Sequence, residues 1–317
     1  MKTYDLSILI PTYNRKKCIL HAVQSVLQQR SSGLTHEIII IDDGSTDKTY
    51  ELFAKNRYPH LRYFYYKQNK GVNAARNRGV EKALGKYILL LDSDDRLTKD
   101  CFEVIAQYTD RNHKKMVPLM LFGTQEIKSG KLLSHIQEEK VYSYREWLEA
   151  KKVYGEFLMV IRTDLLRKNP FPEEFFCFEQ YHWGRLIQKN RVFASKKILR
   201  LYSYEQENRV SKKLLEPSNA EKRFRDYQKY LATFGKDYLR LSLKEKYADL
   251  LFKQGFYGIL SGKKESKALL KKSLAQRFSV FVFLVFLASF LGKNAFLRIY
   301  ALFLKTSFFE KMTTTPV

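Results

Sequence analysis

The stretch Tyr87-Ile88-Leu89-Leu90-Leu91-Asp92-Ser93-Asp94-Asp95 runs through five apolar or aromatic residues and stops at three carboxylates. An apolar run without alternation is what a strand buried on both faces requires, and such strands belong to parallel sheets covered by crossover helices. Three comparable runs precede it, LSILI at 6–10, EIIII at 37–41 and LRYFYY at 61–66. Between the runs, 15–29, 47–55 and 73–84 read as helices. Asn14 is a plausible cap of the first, with Ile19, Val23, Val26 and Leu27 near helical spacing. The order βαβαβαβ predicts an α/β fold with a mostly parallel, Rossmann-like sheet flanked by helices.

In open sheets of this kind the ligand sits beyond the carboxyl ends of the strands. The unusual polar residues fall there: PTYNR after the first strand, DDGSTD after the second and DSDD after the fourth. Hard carboxylate oxygens with room for water suit Mn or Mg bound together with a diphosphate. A strand-ending acidic turn also serves to cap the next helix, so DSDD alone leaves both roles open. In DDGSTD, Gly44 supplies a tight turn and 45–47 can cap a helix, so one of Asp42 and Asp43 is structural and the other faces the cleft. No two of the 14 glycines stand at i and i+2 or at i and i+5, which excludes the GxGxxG and Walker-type phosphate loops.

The chain has 317 residues, 45% of them apolar, and a formal charge of +24, which describes a core-forming protein with an anionic partner. From residue 211 onward there are 21 Lys/Arg and 8 Asp/Glu, a net of +13, so the last third holds over half the excess. Cys18, Cys101 and Cys177 are odd in number and far apart, which argues against a disulfide scaffold or a structural zinc site. Asp5, Asn14 and Arg15 interrupt the first apolar run, so it is not the heart of a signal peptide, and a cytoplasmic location is expected.

ILIPTYNR, IIIDDGSTD, NKGVNAARNRG and YILLLDSDD, in this order, resemble the nucleotide-sugar half of the family 2 glycosyltransferases of the GT-A fold. The resemblance implies an inverting, metal-dependent transfer of a sugar from a nucleotide donor, UDP-linked, to a hydroxyl of a glycan or lipid-linked saccharide. It implies that Pro11 and Tyr13 line the base pocket, that Asp43 accepts a hydrogen bond from the uracil edge, and that Asn69 and Arg76 hold the nucleotide. Asp92 would approach the ribose or donor sugar, and Asp94 would hold the metal on the diphosphate. The plainer readings are a core aromatic for Tyr13 and a helix-surface charge for Arg76.

The same resemblance places a general base in FEQYHWGRL at 178–186, where the family has Glu-Asp. Here the second position is Gln180, and an amide takes no proton at neutral pH, so Glu179 becomes the candidate base, with Glu173 and Glu174 as neighbouring alternatives. His182 and Trp183 read as core rather than metal or sugar contacts. In YSYEQENRVS at 202–211, Glu205 and Glu207 stand where some family members carry His or Arg, and Arg209 could reach phosphate. Gln180 is also the one residue that favours a rival reading, a non-catalytic sugar-nucleotide-binding protein. A nucleic-acid partner would account for the charge, including the aromatic, basic run at 57–70, but leaves the acidic strand ends without purpose, and none is expected.

The organisation expected is a nucleotide-sugar-binding half at 1–97, an acceptor-binding half at 98–210 and a helical, basic, partly hydrophobic extension at 211–317. Fifteen uncharged residues at 278–292 would span roughly 22 Å as a helix, short of the ~30 Å hydrocarbon layer. With a basic flank ahead of them, they predict a segment at 278–304 that associates with the anionic inner face of the cell membrane without crossing it. A buried hairpin or an oligomer contact is the alternative.

Overall fold

The computed structural model describes residues 3–30, 33–54, 58–109, 117–175, 178–204, 216–292 and 294–298. These form two compact units. The first takes in 1–147, 151–173 and 185–206, and the second 148–150, 174–184 and 207–317.

The first unit begins with β1 (Tyr4–Thr12), α1 (Ile19–Leu27), β2 (His36–Asp42), α2 (Glu51–Ala54), β3 (Leu61–Tyr65), α3 (Val72–Lys82) and β4 (Gly85–Leu90). The four strands lie in the order β3-β2-β1-β4, all parallel, as the unbroken apolar runs predict. β1, β2 and β4 hide both faces, whereas β3, at the edge of the sheet, is only half-buried. Ile8, Ile10, Ile38, Ile40 and Leu89 share a fully buried cluster with Ile19, Ala22, Val23 and Val26 of α1. On the other face α3 comes so close that a Cβ on Gly79 would lie 2.0 Å from Leu9 Cδ1.

Beyond β4 the sheet changes character. The chain continues through β5 (Arg96–Leu97), α4 (Cys101–Thr109), β6 (Leu119–Glu126), β7 (Ser134–Ile136), β8 (Lys140–Tyr142), α5 (Tyr144–Glu149), β9 (Val153–Gly155), β10 (Leu158–Arg162), α6 (Thr163–Lys168), α7 (Glu179–Lys189) and β11 (Val192–Tyr202). β10 runs antiparallel between β4 and β6, β11 is parallel to β6, and β5 and β8 pair antiparallel to β11. The sheet is therefore mixed, parallel in its first half and alternating in its second, with helices on its faces.

The second unit is helical: α8 (Ala220–Arg240), α9 (Lys244–Ser261), α10 (Ser266–Gln276) and α11 (Val280–Ala288). Small residues set how near these helices come, since a Cβ on Gly258 would lie 3.0 Å from the Phe224 ring and 2.3 Å from Ser266 Oγ. Among the described residues no helix is long and apolar enough to cross a membrane.

Candidate active site

β1 and β2 end in register, Thr12 opposite Asp42, so the loops that leave them emerge side by side. Asn14 ties those loops together. Its side-chain oxygen accepts the N–H of Thr46 at 2.7 Å and of Asp47 at 3.3 Å, and its own N–H donates to Ser45 Oγ at 2.9 Å. The residue sits at φ 53°, a left-handed conformation that asparagine tolerates. It is not the cap of α1; Cys18 occupies that position, without a side-chain cap.

Both carboxylates of the DDGSTD loop have internal work. Asp42, fully buried, accepts the Ser45 N–H at 2.8 Å on one oxygen and the Tyr63 hydroxyl on the other. Asp43, 2% exposed, accepts the N–H groups of Lys70 and Gly71 at 2.9 and 2.7 Å on Oδ2, while the Arg78 guanidinium donates to Oδ1 at 3.1 Å. Asp43 thus orders the turn that carries the exposed Asn69 and opens α3. Gly44 is required between the loops, because at φ +86° an added Cβ would meet the Asn69 backbone nitrogen at 3.0 Å. Pro11 is buried, whereas Tyr13 is 45% exposed, so its ring is not a core aromatic.

The DSDD turn is surrounded by guanidiniums. Arg76, expected on the surface under the plainer reading, is buried; it meets Asp92 at 3.3 Å and lies over the Phe171 ring. Arg200 on β11 reaches Asp95 at 3.6 Å, Asp92 at 4.0 Å, Glu156 at 3.1 Å and the Thr124 hydroxyl at 3.1 Å. Arg15 lies 4.0 Å from Asp94. Burial works against the charge of Arg200, and Asp95, Glu156 and Asp92 together outweigh it, so the guanidinium is held charged. Burial pushes the Asp95 carboxyl well above the usual carboxylate range; Arg200 opposes this and Asp92 and Asp94 add to it. Asp95, 1% exposed, also accepts the Ser203 N–H, so it anchors the turn. Asp92 is left 40% and Asp94 18% exposed at the strand end.

The carboxylates Asp92, Asp94, Asp95 and Glu156 and the guanidiniums Arg15, Arg76 and Arg200 form one ion-pair cluster at the end of β4. Its two accessible carboxylates offer hard oxygens to a divalent cation. No group of three or more His, Cys, Asp or Glu side chains able to enclose a metal occurs among the described residues. An ion here would complete its oxygen shell from phosphate and water, which suits Mg or Mn.

Arg15, Arg78, Glu156 and Arg200 make contacts at the site that their place in the sequence does not indicate. Arg200 has a signal, a lone charge within the apolar run ILRLY at 198–202 that ends β11, since buried arginine is found almost only where it is paired. Glu173 lies in the first unit, where Asn77 donates to it at 2.9 Å. Glu205, Glu207, Arg209 and Cys177 lie outside the described residues.

Glu179 and Gln180 belong to the second unit, in the first turn of α7, both half-buried. That turn is held by rings. Phe178 packs edge-on against Tyr227 and Tyr230 of α8, Phe175 stacks on Tyr181, and the Arg223 guanidinium lies 5.0 Å over Phe178. Gly184 lets the helix settle on α8, since a Cβ there would come within 2.9 Å of the Phe234 ring. Glu174 pairs with Lys229 at 3.3 Å. His182 and Trp183 are buried, in keeping with the core reading.

Comparison with known proteins agrees with this geometry. A Campylobacter jejuni protein named GalNAc(5)-diNAcBac-PP-undecaprenol beta-1,3-glucosyltransferase is 28% identical over 307 residues, covering 91% of this chain and 94% of its own. Rickettsia conorii and Rickettsia felis glycosyltransferases of uncharacterised role are 43% and 44% identical over 108 and 109 residues, and the matches cover 34% of this chain and 18% of each of them. Among solved structures, Staphylococcus aureus TarS 1–349 in complex with UDP-GlcNAc superposes with a TM-score of 0.61 at 19% identity, covering 88% of this chain and 89% of TarS 1–349. This likeness establishes the GT-A fold. The model of the family described as Glycosyl transferase family 2 matches residues 7–168. Spanning just over half of the chain and all four strand-end motifs, that match shows that the chain belongs to glycosyl transferase family 2.

Proposed function

We propose that this chain is an inverting, metal-dependent glycosyltransferase that moves a sugar from a UDP-linked donor to a hydroxyl of a glycan or lipid-linked saccharide. The observation that carries the reading is the pair of accessible carboxylates, Asp92 and Asp94, standing at the end of β4 in a ring of guanidiniums. The C. jejuni relative, named for transfer to an undecaprenol-linked saccharide, supports the acceptor class, and the UDP-GlcNAc complex of TarS supports the donor.

In this reading 1–97 hold the donor and 98–210 the acceptor. Tyr13 packs its exposed ring on the base above Pro11, and Asp43 directs its remaining oxygen lone pair to the uracil N–H. Asn69 and Arg76 hold the nucleotide, and Asp92 faces the ribose or donor sugar. Asp94 would hold Mn or Mg on the diphosphate, where the bound ion supplies charge to the leaving group. Glu179 takes the proton of the acceptor hydroxyl as its oxygen attacks the anomeric carbon and the bond to the diphosphate breaks on the opposite face. Attack and departure on opposite faces invert the anomeric centre, and no covalent intermediate is required.

Gln180 favours a second reading, a sugar-nucleotide-binding protein without turnover. A panel of UDP- and GDP-sugars with Mn separates the readings. UDP-sugars should raise the melting temperature and be hydrolysed slowly; stabilisation without any hydrolysis or transfer would favour the binder, and stabilisation by GDP-sugars alone would overturn the donor assignment.

A further inference from the structure

Helix α11 is apolar all round. Val282, Val285 and, one turn on, Ser289 face inward and are buried. On the opposite side Val280, Phe283, Leu284, Leu287 and Leu291, spaced i, i+3, i+4, i+7 and i+11, are between 39% and 65% exposed. Phe278 and Phe290 extend the patch, at 69% and 59% exposed. A helix without a polar face is ordinarily covered on every side, and a contiguous apolar patch of this kind marks an interaction surface.

The charge around the patch identifies what covers it. Between residues 263 and 298 the chain has eight Lys/Arg and one acidic residue, Glu265. Lys267 sets a cation at the border itself, its ammonium 4.1 Å from the Phe290 ring centroid. Lys271, one turn further along α10, follows on the same side, and both are exposed. The patch consists of aliphatic and phenyl groups, with no side-chain hydrogen-bonding group to specify a protein partner. A second copy would bring an identical basic rim against this one, which like-charge repulsion opposes.

We infer that α11 and the turn after it form a docking surface for an anionic phospholipid membrane. α11 itself is only about 14 Å long, so it lies within the interface, with Val280, Phe283, Leu284 and Leu287 in the acyl boundary. Lys267 and Lys271 meet the phosphate groups above them. The inference does not depend on the transfer chemistry proposed above, because its test uses neither donor nor acceptor.

The test is co-sedimentation of the full chain with vesicles of phosphatidylglycerol and phosphatidylcholine, and with vesicles of phosphatidylcholine alone. The wild type should partition onto the anionic vesicles at least about tenfold better than onto the neutral ones, and high salt should remove this preference. Leu284→Glu with Leu287→Glu changes only exposed positions, so the circular dichroism spectrum should be unchanged while vesicle binding falls at least about tenfold. Lys267→Glu with Lys271→Glu should abolish the preference for anionic lipid. Absence of wild-type binding, or undiminished binding by the Leu284→Glu/Leu287→Glu protein, would overturn the inference. So would capture by soluble heparin that both variant pairs treat alike, or a wild-type dimer that the leucine pair dissolves in the absence of vesicle binding.

Discussion

Arg200→Met should destabilise the first unit by about 3 kcal/mol at pH 8, and Asp95 is the reason. The guanidinium is 7% exposed and touches four groups, but they are unequal. Asp92 and Glu156 are 40% and 60% exposed, so water replaces most of what they lose, and pairs of that kind are worth roughly 0–1 kcal/mol. Asp95 is 1% exposed and would keep the Ser203 N–H as its donor. Stranding a buried carboxylate by removing its cation costs about 3–5 kcal/mol. Burial already raises the Asp95 carboxyl, so protonation relieves part of the cost and favours the lower end of that range. The sign follows. A carboxyl with a raised folded pKa stabilises at low pH and loses that contribution as pH rises through the folded value, so the variant should be worse at pH 8 than at pH 5. Urea denaturation followed by circular dichroism at both pH values measures this. Asp95→Asn in the same background should recover about 2 kcal/mol, as expected for a coupled pair. A single variant within about 0.5 kcal/mol of wild type at pH 8, or an equal loss whether or not Asp95 has been replaced, would show that Asp95 is not stranded by the loss of Arg200.

Asp94→Asn should leave the melting temperature within a few degrees of wild type and reduce transfer by ~10²-fold or more, read as label moved from UDP-sugar to acceptor. Glu179→Gln should lower transfer ~10²-fold with UDP affinity retained, and activity restored or raised by Gln180→Asp would show that the amide is a loss relative to the family pattern. In the box that starts α5, the Ser143 N–H followed by the Lys140 ammonium hold the Glu146 carboxyl down at about 2. Its stabilising contribution should therefore be present above the ordinary value of 4.5 and be lost as pH falls from there toward 2; an NMR titration of Glu146 with a midpoint near 4.5 would contradict it.

The parallel half of the fold was legible because it depends on local pattern. Runs such as Ile38–Ile41 can be hidden on both faces only within a covered sheet, and acids at the ends of such runs must emerge at one edge. The antiparallel β10 between β4 and β6 was not legible, since pairing direction depends on connections distant in sequence. Asn14 looked like a cap because it precedes a helical pattern; its true partners, Thr46 and Asp47, lie some thirty residues on. The accessible position of Asp92 and Asp94 at a strand end is legible from the apolar run that precedes them. The internal bonding of Asp43 by Lys70, Gly71 and Arg78 is not, because its donors come from a turn and a helix that only the fold brings together. Arg200 sits over a hundred residues from Asp92, and only its isolation within the apolar run ILRLY hints at a buried pair.

The most direct test of the central claim is a transfer assay on the full chain with radiolabelled UDP-sugars, Mn and an undecaprenol-linked saccharide fraction as acceptor, with the anomeric configuration of the product read by NMR. Label should appear in the lipid fraction, joined through an inverted linkage, and should be lost with Asp94→Asn or with chelator. Donor that binds at the β1, β2 and β4 strand ends and is neither transferred nor hydrolysed with any acceptor, or a product of retained configuration, would contradict that claim.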